Sequence, residues 1–184
     1  MTGAGKYQRG ASGETIRVTA VETPFGLILV AGTDVGICAV RFGGSADDLL
    51  AELSSEFPDA TFVQDDSSLE PLVQMVVRHL DGHAPLLDLP LDVQGSVFQL
   101  RVWEALRRIP PGQTRTYGEI AAEVGVPSGT RAVGNACNAN PVALAIPCHR
   151  VVPASGGTGQ YRSGRKRKAA LLKHEGAVVV DAAG

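Results

Sequence analysis

The sequence lacks a long apolar segment. No run approaches the roughly 20 residues that a membrane span needs, and the first residues have no apolar core of the kind a signal peptide carries. Membrane-spanning and secreted proteins are therefore not expected. The 184 residues suit one ordinary domain, or a small lobe followed by a functional lobe, in a soluble cytoplasmic protein.

Cysteine is scarce. Cys38, Cys137 and Cys148 are odd in number and irregular in spacing, which fits neither a disulfide framework nor a zinc site. His79 and His83 have a metal-like spacing of four, but Gly82 interrupts the segment and no third ligand is near, so both are interpreted as surface residues. We predict no metal and no cofactor. Cys38 and Cys137 are interpreted as packing residues.

Basic side chains are scarce in the first half of the chain, and acidic side chains are scarce in the second. Residues 1–100 carry 5 basic and 14 acidic side chains, a net charge of −9, whereas residues 101–184 carry 12 basic and 5 acidic ones, a net charge of +7. This asymmetry predicts that the second half faces a polyanion. Simple solvation of helix surfaces by basic side chains is the alternative.

The first half reads as a small antiparallel sheet with helices. Residues 1–13 are predicted to be a tail or linker and residues 14–93 an α/β lobe. Strands are expected over residues 16–21, 27–31 and 36–42. Helices are expected from Ser45 to Phe57 and from Ser68 to Leu80. An extended connection over residues 84–93 separates this lobe from the second one, residues 94–184.

The second half reads as a helical lobe. Ser96 is expected to cap a helix that continues to Ile109, before Pro110-Pro-Gly112. A short helix over residues 117–124, a turn at Gly125-Val-Pro127 and a helix starting at Ser128 have the form of a helix-turn-helix. Its second helix carries Arg131 near the start. A last helix is expected over residues 166–174.

The motif Ile146-Pro-Cys-His-Arg-Val151 holds the candidate nucleophile. A thiol attacks well only as a thiolate, and neighbouring cationic or hydrogen-bonding groups lower its pKa. His149 could accept the proton of Cys148, directly or through a water, if a third group such as Glu175 orients it. For an isolated Cys-His pair, a buried core thiol beside a structural histidine would be the more common outcome.

Eight blocks of the second half resemble the O6-alkylguanine-DNA alkyltransferases (methylated-DNA–protein-cysteine methyltransferases). In order they are Gly95-Ser-Val-Phe-Gln99, Val102-Trp-Glu-Ala-Leu106, Ile109-Pro-Pro-Gly112, Thr116-Tyr-Gly-Glu-Ile-Ala121, Arg131-Ala-Val-Gly134, Asn140-Pro141, Ile146-Pro-Cys-His-Arg-Val151 and Gly159-Gln-Tyr161. The resemblance implies a two-lobe α/β fold, with a ribonuclease-H-like first lobe and a winged-helix-like second lobe. The opening, from Lys6 to Arg17, resembles the junction before the C-terminal half of Ada-type proteins.

The same resemblance implies a role for each residue of the site. Cys148 accepts the alkyl group of O6-alkylguanine irreversibly, so each molecule acts once, without a cofactor. His149 relays the thiol proton through a water to Glu175, and Asn140 braces the turn before the cysteine. Further residues implied are Tyr117, as a donor to the departing guanine, and Val151, Tyr161 and Arg162 around the base. Arg162 stands where the family often has a small residue. Some members hold zinc in the first lobe, but no ligand set for it is evident here.

Double-stranded DNA is the implied partner, bound by a monomer. The resemblance implies that the second helix of the helix-turn-helix enters the minor groove and that Arg131 fills the gap that the flipped base leaves in the base stack. The small Ala132 and Gly134 allow this helix to approach the DNA closely. Thr116 and Arg115 are the other implied DNA contacts. Basic residues further along are expected at phosphates: Arg107, Arg108 and the run Arg165-Lys-Arg-Lys168.

Three other functions remain open from the sequence. A lesion-binding module without chemistry would need a defect other than loss of Cys148, which is present. A cysteine hydrolase would leave the basic half unexplained. A regulatory role would need a further DNA-binding part, as in Ada-type proteins. Repair of O4-alkylthymine is also left open.

Overall fold

The computed structural model describes residues 13–83 and 88–178. They fall into two compact units: Met1–Gly95 with Pro141–Ala143, and Ser96–Asn140 with Leu144–Gly184. The resemblance at Lys6-Tyr-Gln-Arg-Gly10 and the first part of the connection expected over residues 84–93 lie outside the described residues. Among those described, no helix has the length and apolar character needed to cross a membrane.

The first unit is built on a four-stranded sheet. β1 (Thr15–Thr23), β2 (Gly26–Gly32) and β3 (Ile37–Gly43) pair antiparallel, which confirms the three expected strands. A fourth strand, β4 (Thr61–Gln64), was not predicted and pairs parallel with β1, so the strand order is β3-β2-β1-β4. β4 has four residues and no buried one, so it lacks the alternation by which a strand is recognised.

Two short segments cover the outer edge of β3. Ile37 bridges Leu91 and Val40 bridges Val142, both in parallel orientation. The amide of Val40 donates to the Pro141 carbonyl at 3.0 Å, and the amide of Ala143 donates to the Val40 carbonyl at 3.0 Å. The exposed edge of a sheet is thereby partly protected from pairing with other chains.

Two helices pack on the sheet of the first unit. α1 (Ala46–Glu56) is capped by Ser45, as predicted. α2 (Asp66–Leu80) begins two residues before the predicted Ser68, because the carboxylate of Asp65 caps it by accepting from the Ser68 amide. The apolar side chains between β1–β3 and α1 form the core: Ile16, Val18, Leu29, Ala31, Cys38, Ala39, Leu49 and Leu53. His79 is buried, so its interpretation as a surface residue was wrong; His83 is exposed.

The second unit is helical with two short strands. Its elements are α3 (Val97–Arg107), β5 (Arg115–Thr116), α4 (Tyr117–Glu123), α5 (Thr130–Asn138), a 3₁₀ turn (Cys148–Arg150), β6 (Val151–Val152) and α6 (Arg165–His174). Ser96 caps α3 with Gln99 in a reciprocal capping box, as expected of the Ser start. α5 begins two residues after the predicted Ser128, so Arg131 is its second residue.

The helix-turn-helix and the cysteine motif are held together within the second unit. Thr116 caps α4, and β5 pairs in parallel with β6, so the start of α4 lies beside the residues that follow Cys148. The indole of Trp103 donates to the Ala136 carbonyl at 2.8 Å and ties α3 to α5. The site is therefore assembled within one unit from segments distant in sequence.

Candidate active site

Cys148 lies buried at the start of the 3₁₀ turn. The side-chain amide of Asn140 donates to the Ile146 carbonyl at 2.7 Å and to Cys148 Sγ at 3.2 Å. Asn140 thus braces the approach to the cysteine and also contacts the thiol itself. Burial raises the pKa of Cys148, while the Asn140 hydrogen bond and the charges of Lys168 and Arg162 oppose that rise. The resting group is a neutral thiol, which needs a base before it can attack.

His149 and Glu175 are brought together although 26 residues separate them. His149 is fully buried and its Nε2 lies 2.9 Å from Glu175 Oε1. Burial alone would raise the pKa of Glu175, but hydrogen bonds from His149 and Arg150 lower it to about 2. An ionised carboxylate only accepts hydrogen bonds, so the Nε2 that faces it carries a hydrogen, and Nδ1 is the nitrogen that can accept a proton whenever the ring is neutral. His149 is therefore poised as a base through Nδ1.

Arg150 is a further member of the site that the sequence analysis did not single out. Its Nε and Nη2 donate to Glu175 at 3.0 and 2.7 Å, and its Nη1 donates to the Ile109 carbonyl at 2.6 Å. The guanidinium is almost entirely buried. It holds Glu175 ionised and in place between itself and His149. The only sequence signal is its position in the Pro-Cys-His-Arg motif.

Two tyrosines line the surroundings of the thiol. Burial, followed by the nearby Cys137 and Cys148, raises the pKa of Tyr117 to about 12, so its hydroxyl stays protonated at neutral pH. Tyr161 packs edge-on against His149, with ring centroids 6.5 Å apart. Gly134 and Gly159 leave space near Tyr117. A Cβ at Gly134 would lie 4.0 Å from its ring, and one at Gly159, where φ is +70°, would lie 2.9 Å from Pro153.

Lys168 is buried, so the expectation that it contacts phosphate was wrong. Its Nζ donates to the carbonyls of Val151 at 2.6 Å and Gln160 at 3.3 Å. It also lies 5.9 Å from the centre of the Tyr117 ring. The basic run at the start of α6 is therefore not uniformly a surface feature, since Arg165 and Lys166 are exposed and Lys168 is not.

The residues expected at DNA lie on α5 (Arg131, Ala132 and Gly134) and on β5 (Arg115 and Thr116). Arg131 and Ala132 are exposed on the first turn of α5. Thr116 is occupied by the capping box with Glu119. Arg115 lies 3.3 Å from Glu119 and 3.6 Å from Glu123. The structure thus presents Arg131 and Ala132 outward and holds the other two in contacts that stabilise α4.

At the other two cysteines, burial outweighs the nearby basic groups, Arg41 for Cys38 and Lys168 for Cys137. Burial raises the pKa of Cys38 to about 12, helped by Asp92, and burial also raises that of Cys137. Within residues 13–83 and 88–178, no group of three or more histidine, cysteine or carboxylate side chains is arranged to hold a metal ion.

Comparison with known proteins identifies the family. The model for the DNA-binding domain of 6-O-methylguanine DNA methyltransferase matches residues 97–177, and the model for its ribonuclease-like domain matches residues 16–93. A methylated-DNA–protein-cysteine methyltransferase of Methanosarcina acetivorans is 40% identical over 155 residues, which cover 84% of this chain and 95% of the relative. The chain belongs to the 6-O-methylguanine DNA methyltransferase family.

Two other members of the family illustrate the range of the likeness. The regulatory protein Ada of Salmonella typhimurium is 44% identical over 172 residues, 94% of this chain but 49% of the relative. The chain thus spans about half the length of that curated relative. The crystal structure of Mycobacterium tuberculosis OGT in complex with DNA is similar with a TM-score of 0.73 at 34% identity, covering 88% of this chain and 92% of that one. The two-lobe α/β fold expected from the sequence is confirmed.

Proposed function

We propose that this methyltransferase-family chain repairs DNA by moving the alkyl group of O6-alkylguanine onto Cys148, once per molecule. The observation that carries the proposal is a buried thiol next to His149, whose ring is held by the ionised Glu175 at 2.9 Å. A buried thiol with a raised pKa is inert by itself, and the adjacent base supplies what it lacks.

The first step is removal of the thiol proton. His149 Nδ1 accepts the proton from Cys148 Sγ, directly or through one water, and becomes an imidazolium. The negative charge of Glu175 stabilises that cation, and Arg150 keeps the carboxylate ionised and aligned. Asn140 donates to the sulfur and stabilises the charge that develops there.

The second step is a displacement at the alkyl carbon. A bond forms between Cys148 Sγ and that carbon while the carbon–O6 bond breaks, and its electron pair stays on the guanine. The protonated hydroxyl of Tyr117 is the donor placed to neutralise the leaving base. The resulting thioether has no leaving group that water could readily displace, so the protein is not regenerated.

DNA is the proposed partner, because a base inside a duplex cannot reach a buried thiol. The nucleotide must be extruded, which costs a few kcal/mol. Arg131 and Ala132, exposed at the start of α5, are proposed to face the minor groove, with Arg131 occupying the place of the extruded base. One relative of this chain has been solved with DNA, which supports this partner.

The remaining predictions fit this proposal. The residues proposed for the chemistry all lie in the second unit, so the proposed steps require no residue from another copy, and we propose that a monomer acts. We propose a cytoplasmic location, because the reaction needs a reduced thiol and access to DNA. A regulatory role beside repair is proposed only for a longer protein that supplies a second DNA-binding part. We propose O6-alkylguanine as the main substrate and keep O4-alkylthymine as a second one to test.

Intact-mass spectrometry with a duplex that contains one O6-methylguanine tests the proposal. We expect a stoichiometric gain of about 14 Da, the mass of one CH₂, mapped to Cys148 and absent from Cys148→Ala. Cys38→Ala is the matched control and should gain the same mass. Binding to the lesion with no mass gain would contradict the proposal and identify a lesion-binding module. Continuous turnover of one molecule would instead indicate a hydrolase.

A further inference from the structure

Lys168 is a buried cation without an acidic partner. It is fully buried in α6, and among the described residues no carboxylate pairs with it. Its hydrogen bonds go to two neutral carbonyls, those of Val151 and Gln160. Burying an ammonium group is costly unless it is paired. A cost of this kind is usually tolerated where the charge has a function.

The titratable groups that act on Lys168 lie in and beside the candidate site. They are Cys148 on the 3₁₀ turn, Cys137 on α5 and Tyr117 on α4. Burial lowers the pKa of Lys168 to about 8, and the two cysteines act in the opposite direction. At pH 7 the group therefore remains mostly protonated, and it opposes the burial that raises the pKa of Cys148.

The hydrogen bonds of Lys168 join two segments that flank the cysteine motif. Val151 belongs to β6, directly after the 3₁₀ turn of Cys148, and Gln160 precedes Tyr161, whose ring packs on His149. Arg150 is already committed to Glu175 and Ile109. Lys168 is thus a second buried cation of the site, and its charge is not cancelled by a carboxylate.

We propose that Lys168 is a positioning residue whose charge stabilises the Cys148 thiolate that attacks the alkyl group. The inference rests on the proposed alkyl transfer and deepens it. His149 removes the proton from Cys148, and Lys168 stabilises the charge left on Sγ until the new carbon–sulfur bond consumes it. Lys168 itself neither gives nor takes a proton in this step.

Three variants separate charge from hydrogen bonding. Lys168→Gln keeps N–H donors for the two carbonyls but removes the charge, Lys168→Arg keeps the charge, and Lys168→Met removes both. Lys173→Met, an exposed lysine on the same helix, is the matched control. If Lys168→Met fails to fold, the pair Lys168→Gln and Lys168→Arg still decides the question. Thermal unfolding establishes which variants are folded.

The first measurement is the pH dependence of iodoacetamide labelling of Cys148, which needs no DNA. No lysine or arginine lies between Arg131 and Arg150, so trypsin leaves Cys137 and Cys148 on one peptide. Fragmentation of that peptide in the mass spectrometer shows which of the two cysteines carries the label. We expect Lys168→Gln to raise the midpoint pH of labelling by about 1 or more, the effect of losing a nearby opposite charge. Lys168→Arg and Lys173→Met should stay near the unsubstituted protein.

The second measurement is the single-turnover rate of methyl transfer at pH 7. We expect Lys168→Gln to slow transfer about tenfold, with Lys168→Arg restoring most of the rate. Wild-type labelling and transfer in a folded Lys168→Gln protein would overturn the inference and leave Lys168 a structural residue. So would an equal loss in Lys168→Gln and Lys168→Arg. If the unsubstituted protein labels but transfers no methyl group, the proposed function fails while the labelling comparison still tests Lys168.

Discussion

Cys38 and Cys148 are both buried thiols, one in each unit, and their surroundings differ. Cys38 lies in β3 within the apolar core, where burial and then the charge of Asp92 raise its pKa to about 12. Burial also raises the pKa of Cys148, but Asn140 and Lys168 oppose the rise and a histidine with an ionised partner lies next to it. Polar groups around a cysteine, more than its depth, decide whether it is suited to react.

The buried cations of the two units differ in the same way. Arg41 in β3 makes a two-point ion pair with Glu56, at 3.0 and 2.6 Å. Its charge lowers the pKa of Cys38 less than burial and Asp92 raise it. In the second unit, Arg150 is paired with Glu175 whereas Lys168 meets only carbonyls. The first unit therefore uses its buried charge for stability. The second keeps positive charge near a thiol.

The largest expected effect comes from removing the base that distinguishes Cys148 from Cys38. In His149→Gln we expect the single-turnover rate of methyl transfer at pH 7 to fall about 10²–10⁴-fold, the usual contribution of a positioned base. Part of the loss should be recovered at higher pH, because solvent then removes the thiol proton. His79→Gln, a buried histidine of the first unit, is the control. A folded His149→Gln protein with an undiminished rate would remove the distinction between the two cysteines.

An intermediate effect is expected from the carboxylate that orients the histidine. The pKa of Glu175 is about 2 in the folded protein against an ordinary 4.5, so its ionised form stabilises the fold above pH 4.5. That stabilisation, about 3 kcal/mol, is lost as the pH falls from 4.5 through 2. We therefore expect Glu175→Gln to lower the free energy of unfolding at pH 7 and to lose less stability on acidification.

Urea unfolding at pH 7, 4.5 and 3 measures this difference. Glu104→Gln is the control, since that carboxylate is half exposed and lies 3.7 Å from Arg108. The free energy of unfolding of Glu104→Gln should stay close to that of the unsubstituted protein at all three pH values. If Glu175→Gln showed the same acid sensitivity as the unsubstituted protein, the low pKa of Glu175 would be contradicted.

The smallest effect is expected at Cys38 itself. Cys38→Ala removes a buried sulfur from the core between the sheet and α1, which should lower the free energy of unfolding by about 1 kcal/mol. The rate of methyl transfer should be unchanged, because burial and the charge of Asp92 keep Cys38 a neutral thiol. Thermal unfolding and the single-turnover assay check both statements. A large loss of transfer in a folded Cys38→Ala protein would show that the first unit contributes to the chemistry.

Local signals made much of the fold predictable. The caps at Ser45 and Ser96, and the helix starting at Tyr117, were correctly predicted, because a side chain that caps a helix acts on backbone two or three residues away. The first residues of two other helices were predicted wrongly, each by two positions. Asp65 rather than Ser68 begins α2, and α5 starts after Gly129 rather than at Ser128.

The site was only partly predictable. Residue type and adjacency singled out Cys148 and His149, with Glu175 as a candidate orienting carboxylate, and the resemblance to the family added Asn140; their roles remain predictions. Arg150 and Lys168 were missed for different reasons. The partner of Arg150 is 25 residues away. Lys168 sits within a basic run, although its spacing from the buried Leu171 and Leu172 places it on the inner face of α6 and could have indicated its burial.

The sequence by itself determined most of the helices, the three antiparallel strands and the adjacency of Cys148 and His149, because all of these depend on neighbours along the chain. Only the tertiary structure decided which nitrogen of His149 can accept a proton and which lysine of the basic run is buried. Both depend on hydrogen bonds between residues far apart in sequence, to Glu175 and to Val151. A charged group changes the pKa of a thiol more strongly where water is excluded from both groups, and only the fold determines which groups are buried together.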